Sequence, residues 1–402
     1  MIGRQSVPLG TAIAVAIVLA ACASPARPSP VPPATSGPTD SAPVPTLTSA
    51  APTTSVSTGT WTLEASLSSF RVAGLVSLDG RIVAAGCVLA TGICVGAAIG
   101  VLDSGQWSAS TFDGDPARLE LSAVDAGDAG LIVVGRAGDL DDPATWRAAA
   151  LVSMDGQAWR AAPNQGSFQG RVMVDVAELP GEGWVAVGTT VTPSTFVGFE
   201  TWLSRDGLAW ELVASMEPNA VVGGVAAFAG GLIAWGTDCL DVCGHPARAI
   251  LWTSGDGRTW TRVPEQLSLA NAVVDSVIPT SGGALAVGAV LDRDALGRGA
   301  VWVTTDGSSW EQALLPGAAG HQSFRVIEAA DGIVVIAVMN IGNGSTWRAW
   351  HAPDGMIWTL VPGSDVAAEG MELVSVSGDV LAVANQPTTD RGSSYVLRLR
   401  IE

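Results

Sequence analysis

The chain has 402 residues, with 38 acidic against 20 basic side chains and an apolar fraction of 48%. That much apolar material excludes a wholly disordered protein. A net charge of −18 argues against nucleic acid or anionic lipid headgroups as the main partner, since both call for a basic surface. The basic residues are all arginine, which excludes lysine chemistry.

Arg4 precedes an apolar stretch from Val7 to Ala21, broken by Pro8, Gly10 and Thr11. The stretch is short for a membrane span and suits a secretory signal over residues 1–21. It ends in Leu19-Ala20-Ala21-Cys22, which resembles the lipobox of bacterial lipoproteins. The resemblance implies acylation of Cys22 and anchoring in the bilayer on the extracytoplasmic face of the bacterial cell membrane. Residues 22–60 follow as a tether. From 23 to 60, 24 of 38 positions are Pro, Ser or Thr, too little apolar surface to offset the entropy of ordering. As coil it would reach about 35 Å. The bias is also that of glycosylated stalks, with an unmodified linker as the simpler reading.

From residue 61 to 402 the sequence repeats. Ser153-Met154-Asp155-Gly156-Gln157-Ala158-Trp159 aligns without gaps with segments around Asp206, Asp256, Asp306 and Asp354, at steps of 48 to 51 residues. A worn copy surrounds Asp103. Asp-Gly between apolar runs predicts a type I′ hairpin, with the tryptophan packing on a neighbouring sheet. A second turn recurs at Asp79-Gly80, Gly230-Gly231, Gly282-Gly283 and their equivalents. It precedes runs such as Leu131-Ile132-Val133-Val134, which lack polar alternation and suit strands covered on both faces. Four strands per unit of about 49 residues predict an all-β, seven-bladed β-propeller. The strand at Trp61 to Ser66 should complete the last sheet and close the ring. A six-bladed ring with one irregular repeat is the alternative.

The motif resembles the Asp-box, or BNR, repeat of sialidases, other glycoside hydrolases, sortilin-type receptors and photosystem assembly factors, one residue shorter between Asp and Trp. The resemblance implies the propeller, with the Asp turns on its outer hairpins, and no particular activity. For a sialidase it further implies three substrate-binding arginines, a Tyr–Glu nucleophile and an acid/base aspartate. Phe70-Arg71-Val72-Ala73 and Phe324-Arg325-Val326 are similar to the family's Phe-Arg-Ile-Pro motif. Tyr395, the one tyrosine, reads as an alternating strand residue. No catalytic set is assignable, and two carboxylates for general glycoside hydrolysis cannot be picked from 38 acids. His245, His321 and His351 form no metal motif.

Four cysteines remain after Cys22. Local Cys87–Cys94 and Cys239–Cys243 bridges fit an oxidising compartment, with metal binding at Cys239 and Cys243 as the alternative. The connections between second and third strands are dissimilar, and variable loops on a rigid frame are where binding residues gather. They carry Asp139, Asp141, Asp142, Trp146, Asp238, Asp241, Arg248, Asp292, Arg293, Asp294 and Arg298. The first three aspartates could ligate Ca²⁺, though a solvated acidic loop is the simpler reading, and no cofactor is expected. The sequence therefore points to a lipid-anchored binding or scaffold module, more a non-enzyme than an enzyme, facing an extracellular protein or glycan. A carbohydrate-active hydrolase and an assembly factor for a membrane complex are the alternatives.

Overall fold

The computed structural model describes residues 59–401 apart from breaks at 69, 91–92, 140, 193–194, 218–219, 239–247, 292–296, 342–343, 368 and 386–392. The signal segment, Cys22 and most of the tether lie outside the described residues, as do Cys239, Cys243, Asp241, Asp292, Arg293 and Asp294.

The described chain is built of antiparallel meanders. In one, Arg171–Leu179 pairs with Gly183–Thr192, that strand with Thr195–Ser204, and that with Glu211–Met216. A single parallel bridge, Gly198 to Val221, links this meander to the next. The first strands of successive meanders are Phe70–Leu78, Leu119–Gly127, Arg171–Leu179, Ala220–Phe228, Ala272–Thr280, His321–Ala329 and Glu369–Val376. Each lies against the next, and the last lies against Phe70–Leu78, so these inner strands form a closed cycle around an axis. The final sheet takes Gly59–Ser68 as its outer strand, with Trp61 opposite Leu399. This pairing covers the edge that the C-terminal strand would otherwise expose.

Second strands fill the core. Leu131 to Val134, Trp184 to Val187, Leu232 to Trp235 and Val334 to Ala337 are buried without interruption, because a neighbouring sheet covers each face. The apolar clusters accordingly join residues of adjacent sheets, as where Val185 and Phe199 meet Val222 and Trp252. Phe199 stacks on Trp252 at 4.5 Å and is fully buried in this core. The second and third strands of this meander run to Thr192 and from Thr195.

A bulge recurs in the inner strands. The register slips between Val72 and Gly74, Leu121 and Ala123, Met173 and Asp175, Val222 and Gly224, and Val274 and Ser276. Opposite each slip stands a glycine of the second strand: Gly86, Gly135, Gly188, Gly236 or Gly288. A Cβ there would come within 1.9 to 2.3 Å of an inner-strand carbonyl oxygen. The extra residue pushes that carbonyl into space only glycine leaves open.

The Asp-Gly turns differ from the expected hairpin. Only the glycines, such as Gly156 at φ 77°, take positive φ, while Asp155, Asp206, Asp256, Asp306 and Asp354 do not. Each aspartate instead caps the turn. Asp155 Oδ1 accepts the N–H groups of Gln157 and Ala158 at 2.8 and 3.2 Å, and Trp159 Nε1 donates to the Gly156 carbonyl at 2.9 Å. The same bonds recur at Asp206, Asp256 and Asp306. The turn glycine also sits on the preceding sheet. A Cβ at Gly207 would lie 2.3 Å from Val152 Cγ1. True two-residue turns, positive φ at both positions, occur at Asp79-Gly80, Ser104-Gly105 and Ser377-Gly378. Asp103 is thus a strand end and not a cap. Cys87 and Cys94 form a disulfide across the hairpin between the second and third strands of the first meander.

Candidate active site on the ring axis

The inner strands have one edge with no further strand beyond it, so their backbone N–H groups need partners. Aspartates of the preceding strand supply several. Asp125 Oδ2 accepts from Glu178 N at 3.1 Å, Asp175 Oδ2 from Val225 N at 2.9 Å, and Asp275 Oδ2 from Phe324 N at 3.0 Å. Asp125 and Asp175 also accept the N–H of their own following residue. Gly224 makes room for this, since a Cβ there would lie 2.6 Å from Asp175 Oδ2.

Three charged side chains share one register position. Asp175, Arg325 and Glu372 pair with Val187, Ile336 and Val383, in each case one residue before the bulge-glycine position. Asp275 is the extra residue of its own bulge. Arg325 Nη2 lies 3.4 Å from Glu372 Oε1. Protein surrounds these groups, yet Arg325 and Glu372 keep 34% and 24% of their side-chain surface open.

The crowding sets the charge states. Burial pushes Asp175 up to about 7 against the N–H bonds from Val225 and Val176, and the charges of Asp125 and Glu372 add to the rise. Burial likewise raises Asp275 to about 7, opposed by Arg325 and the Phe324 N–H. Asp125 rises to about 6 by burial, and Glu372 rises by burial against the attraction of Arg325. Arg325 is raised first by Glu372, then by Asp275 and Asp175, so all three carboxyls act on one guanidinium. Acids that titrate near neutrality beside a fixed cation can exchange protons with a bound molecule.

These shifts have opposite signs from those at the turns. Backbone N–H bonds from Ser309 and Ser308 lower Asp306 to about 2, and similar bonds lower Asp155, Asp206, Asp256 and Asp354. A lowered folded value contributes stability that is present above the ordinary 3.8 and is lost as pH falls toward about 2. A raised one contributes stability that is present below 3.8 and is lost as pH rises toward about 7. The axis acids therefore weaken the fold between about pH 4 and pH 7. Asp175→Asn should flatten that decline. Melting temperatures at pH 4 and pH 8 check it, and an equal drop in variant and parent would contradict the assignment.

The described loop residues singled out from the sequence are not gathered this way. Asp139 Oδ1 accepts from Asp141 N at 3.1 Å, and Asp142 caps the turn Pro143–Thr145 through Ala144 N. Trp146 is buried, donates from Nε1 to the Asp139 carbonyl at 2.7 Å, and carries the Arg136 guanidinium 3.5 Å above its ring. It is a structural anchor rather than a displayed contact. Asp238 accepts the Arg248 N–H at 2.9 Å, and both line a recess of about 430 Å³ with Arg262, Glu265 and Asn271. Arg298 is exposed at the start of its strand. Among the described residues no three His, Cys, Asp or Glu side chains are grouped to hold a metal ion. Of the two arginines in the sialidase-like motif, Arg325 reaches the axis array. Arg71 is exposed and pairs with Cys87, two residues along from the equivalent level.

No family model matches the chain, and no curated protein does. Solved structures do. A polysaccharide lyase, an ulvan lyase bound to -[GlcA(1-4)Rha3S]-, is 12% identical over 84% of this chain and 95% of its own, with a TM-score of 0.54. The polysaccharide lyase Uly1 is 7% identical over 82% and 90%, with a TM-score of 0.50. Trypanosoma rangeli sialidase in complex with sialic acid is 13% identical over 82% of this chain, at a TM-score of 0.47, and the chain spans 54% of that protein's length. The two lyases carry the fold and nothing more: the chain is an all-β propeller similar in fold to them.

Proposed function

We propose that this chain is a carbohydrate-active enzyme, a seven-bladed propeller whose chemistry lies on the ring axis. The observation that supports it is the convergence of Asp175, Asp275 and Glu372 on Arg325, with two of the acids titrating near 7. We rank a binding face made by the loops second, because Asp139 and Asp142 bond within their own turn and Asp238 holds the N–H of its strand partner Arg248. In hydrolysis one of the pair Asp175 and Asp275, protonated, gives its proton to the glycosidic oxygen as the bond to the anomeric carbon breaks. The other, ionised, takes a proton from the water whose oxygen bonds to that carbon. Arg325 favours the ionised form of Asp275, which suits that residue to the base role.

Reducing-end release from a polysaccharide panel tests this. Asp175→Asn and Asp275→Asn should each lower kcat by about 10²- to 10⁴-fold while the far-ultraviolet spectrum stays folded. Undiminished turnover in both variants would end the proposal. We further place the enzyme outside the bacterial membrane, tethered through acylated Cys22 and the linker of residues 23–60. Incorporation of a labelled fatty acid into the parent, lost in Cys22→Ser, is the expected result, and equal labelling would refute anchoring at that residue.

A further inference from the structure

We infer that the axis site accepts uncharged or amine-bearing sugars and turns away carboxylate-bearing ones, with Glu372 as the residue that sets this preference. The inference rests on the enzymatic reading of the site and adds the charge class of its substrate.

Among the described residues Arg325 is the one cation of the array. Its guanidinium is already engaged, with Nη2 3.4 Å from Glu372 Oε1 and Nη1 donating to the Phe324 carbonyl at 3.1 Å. Asp275 and Asp175 act on it as well. A sugar carboxylate arriving at Arg325 must therefore displace Glu372 or share the cation with it, and it does so beside two further acids. The other described arginines of the inner strands offer no help. Arg171 Nε lies 3.4 Å from the buried Glu200, which also accepts from Thr190 and Ser215. Arg71 is exposed at another level of the ring. Three acidic side chains, Asp175, Asp275 and Glu372, thus act on one arginine. An ionised site of that composition repels anions and tolerates hydroxyl or ammonium groups. The chain as a whole, at −18, reinforces the field.

The test uses uronate polysaccharides printed in pairs, native and carboxyl-reduced, so that the members of a pair differ in carboxylate against hydroxymethyl. The parent should bind or cleave a reduced member at least about tenfold better than its native form, because like charges brought together cost that much or more. Glu372→Gln should narrow or reverse the ratio by freeing Arg325, and Glu372→Asp should preserve it by keeping the charge. Preference of the parent for native members would overturn the inference and leave the enzymatic reading standing. A ratio unmoved by Glu372→Gln in a folded variant would remove Glu372 from the role. Recognition of neither member of any pair would overturn both readings. Should Glu372→Gln fail to fold, the parent's ratio still decides.

Discussion

Deleting residues 59–68 is expected to abolish cooperative thermal unfolding of the rest of the chain. Gly59–Ser68 is the outer strand of the last sheet and pairs along nearly its whole length with Ser393–Ile401. Trp61 adds a bond from Nε1 to the Ser364 carbonyl at 2.9 Å and an edge contact with Trp347 at 5.8 Å between centroids. A ladder of this length at about 1 kcal/mol net per hydrogen bond, with the packing of one tryptophan, comes to roughly 5–10 kcal/mol. The whole stability of a domain is about 5–15 kcal/mol, so the loss is comparable to the total. The deletion also exposes an edge strand open to pairing with other chains. Circular dichroism melts and size-exclusion chromatography check this. A monomer melting at the parental temperature would show that the ring does not depend on its closing strand.

The second large effect is expected at the bulge glycines. Gly188→Ala should destabilise by about 3 kcal/mol or more, because its Cβ would sit 2.0 Å from the Val172 carbonyl oxygen and neither backbone can give way without undoing the bulge. The protein contains its own control. At the equivalent position of the sixth meander stands Ala337, and there the pairs Phe324–Ala337 and Arg325–Ile336 run without a slip. The irregularity has moved outward, between His321 and Ser323. Ala337→Gly should therefore change stability by no more than about 1 kcal/mol, the ordinary cost of glycine in a strand. Urea unfolding of the two variants side by side decides the matter. Equal effects would mean that the carbonyl contact is not what selects glycine.

This contrast also shows what kind of information the sequence carried. The repeated glycines were visible as the ends of apolar runs, but their cause was not, since a bulge is a property of two paired strands. The Asp-Gly turns were legible as turns. Their geometry was not, because the capping bonds from Asp155 to Gln157 and Ala158 satisfy the backbone with the aspartate outside the left-handed region. Arg325 stood out only through a faint likeness to a family motif. Asp175, Asp275 and Glu372 were lost among 38 acids. A signal for two of them existed: once the inner strands are aligned on the bulge glycine, Asp175 and Glu372 fall in register with Arg325.

Local chemistry by itself determined the strands, the turns, the Cys87–Cys94 bridge and the all-β class, because each depends on residues a few positions apart. The tertiary structure alone decided which carboxyls meet. Asp175, Asp275, Arg325 and Glu372 come from four strands spread over about two hundred residues, and only the closed ring brings them to a common axis. Their raised titration follows from that crowding, since the cost of a charge is set by what surrounds it in space and not by its neighbours along the chain.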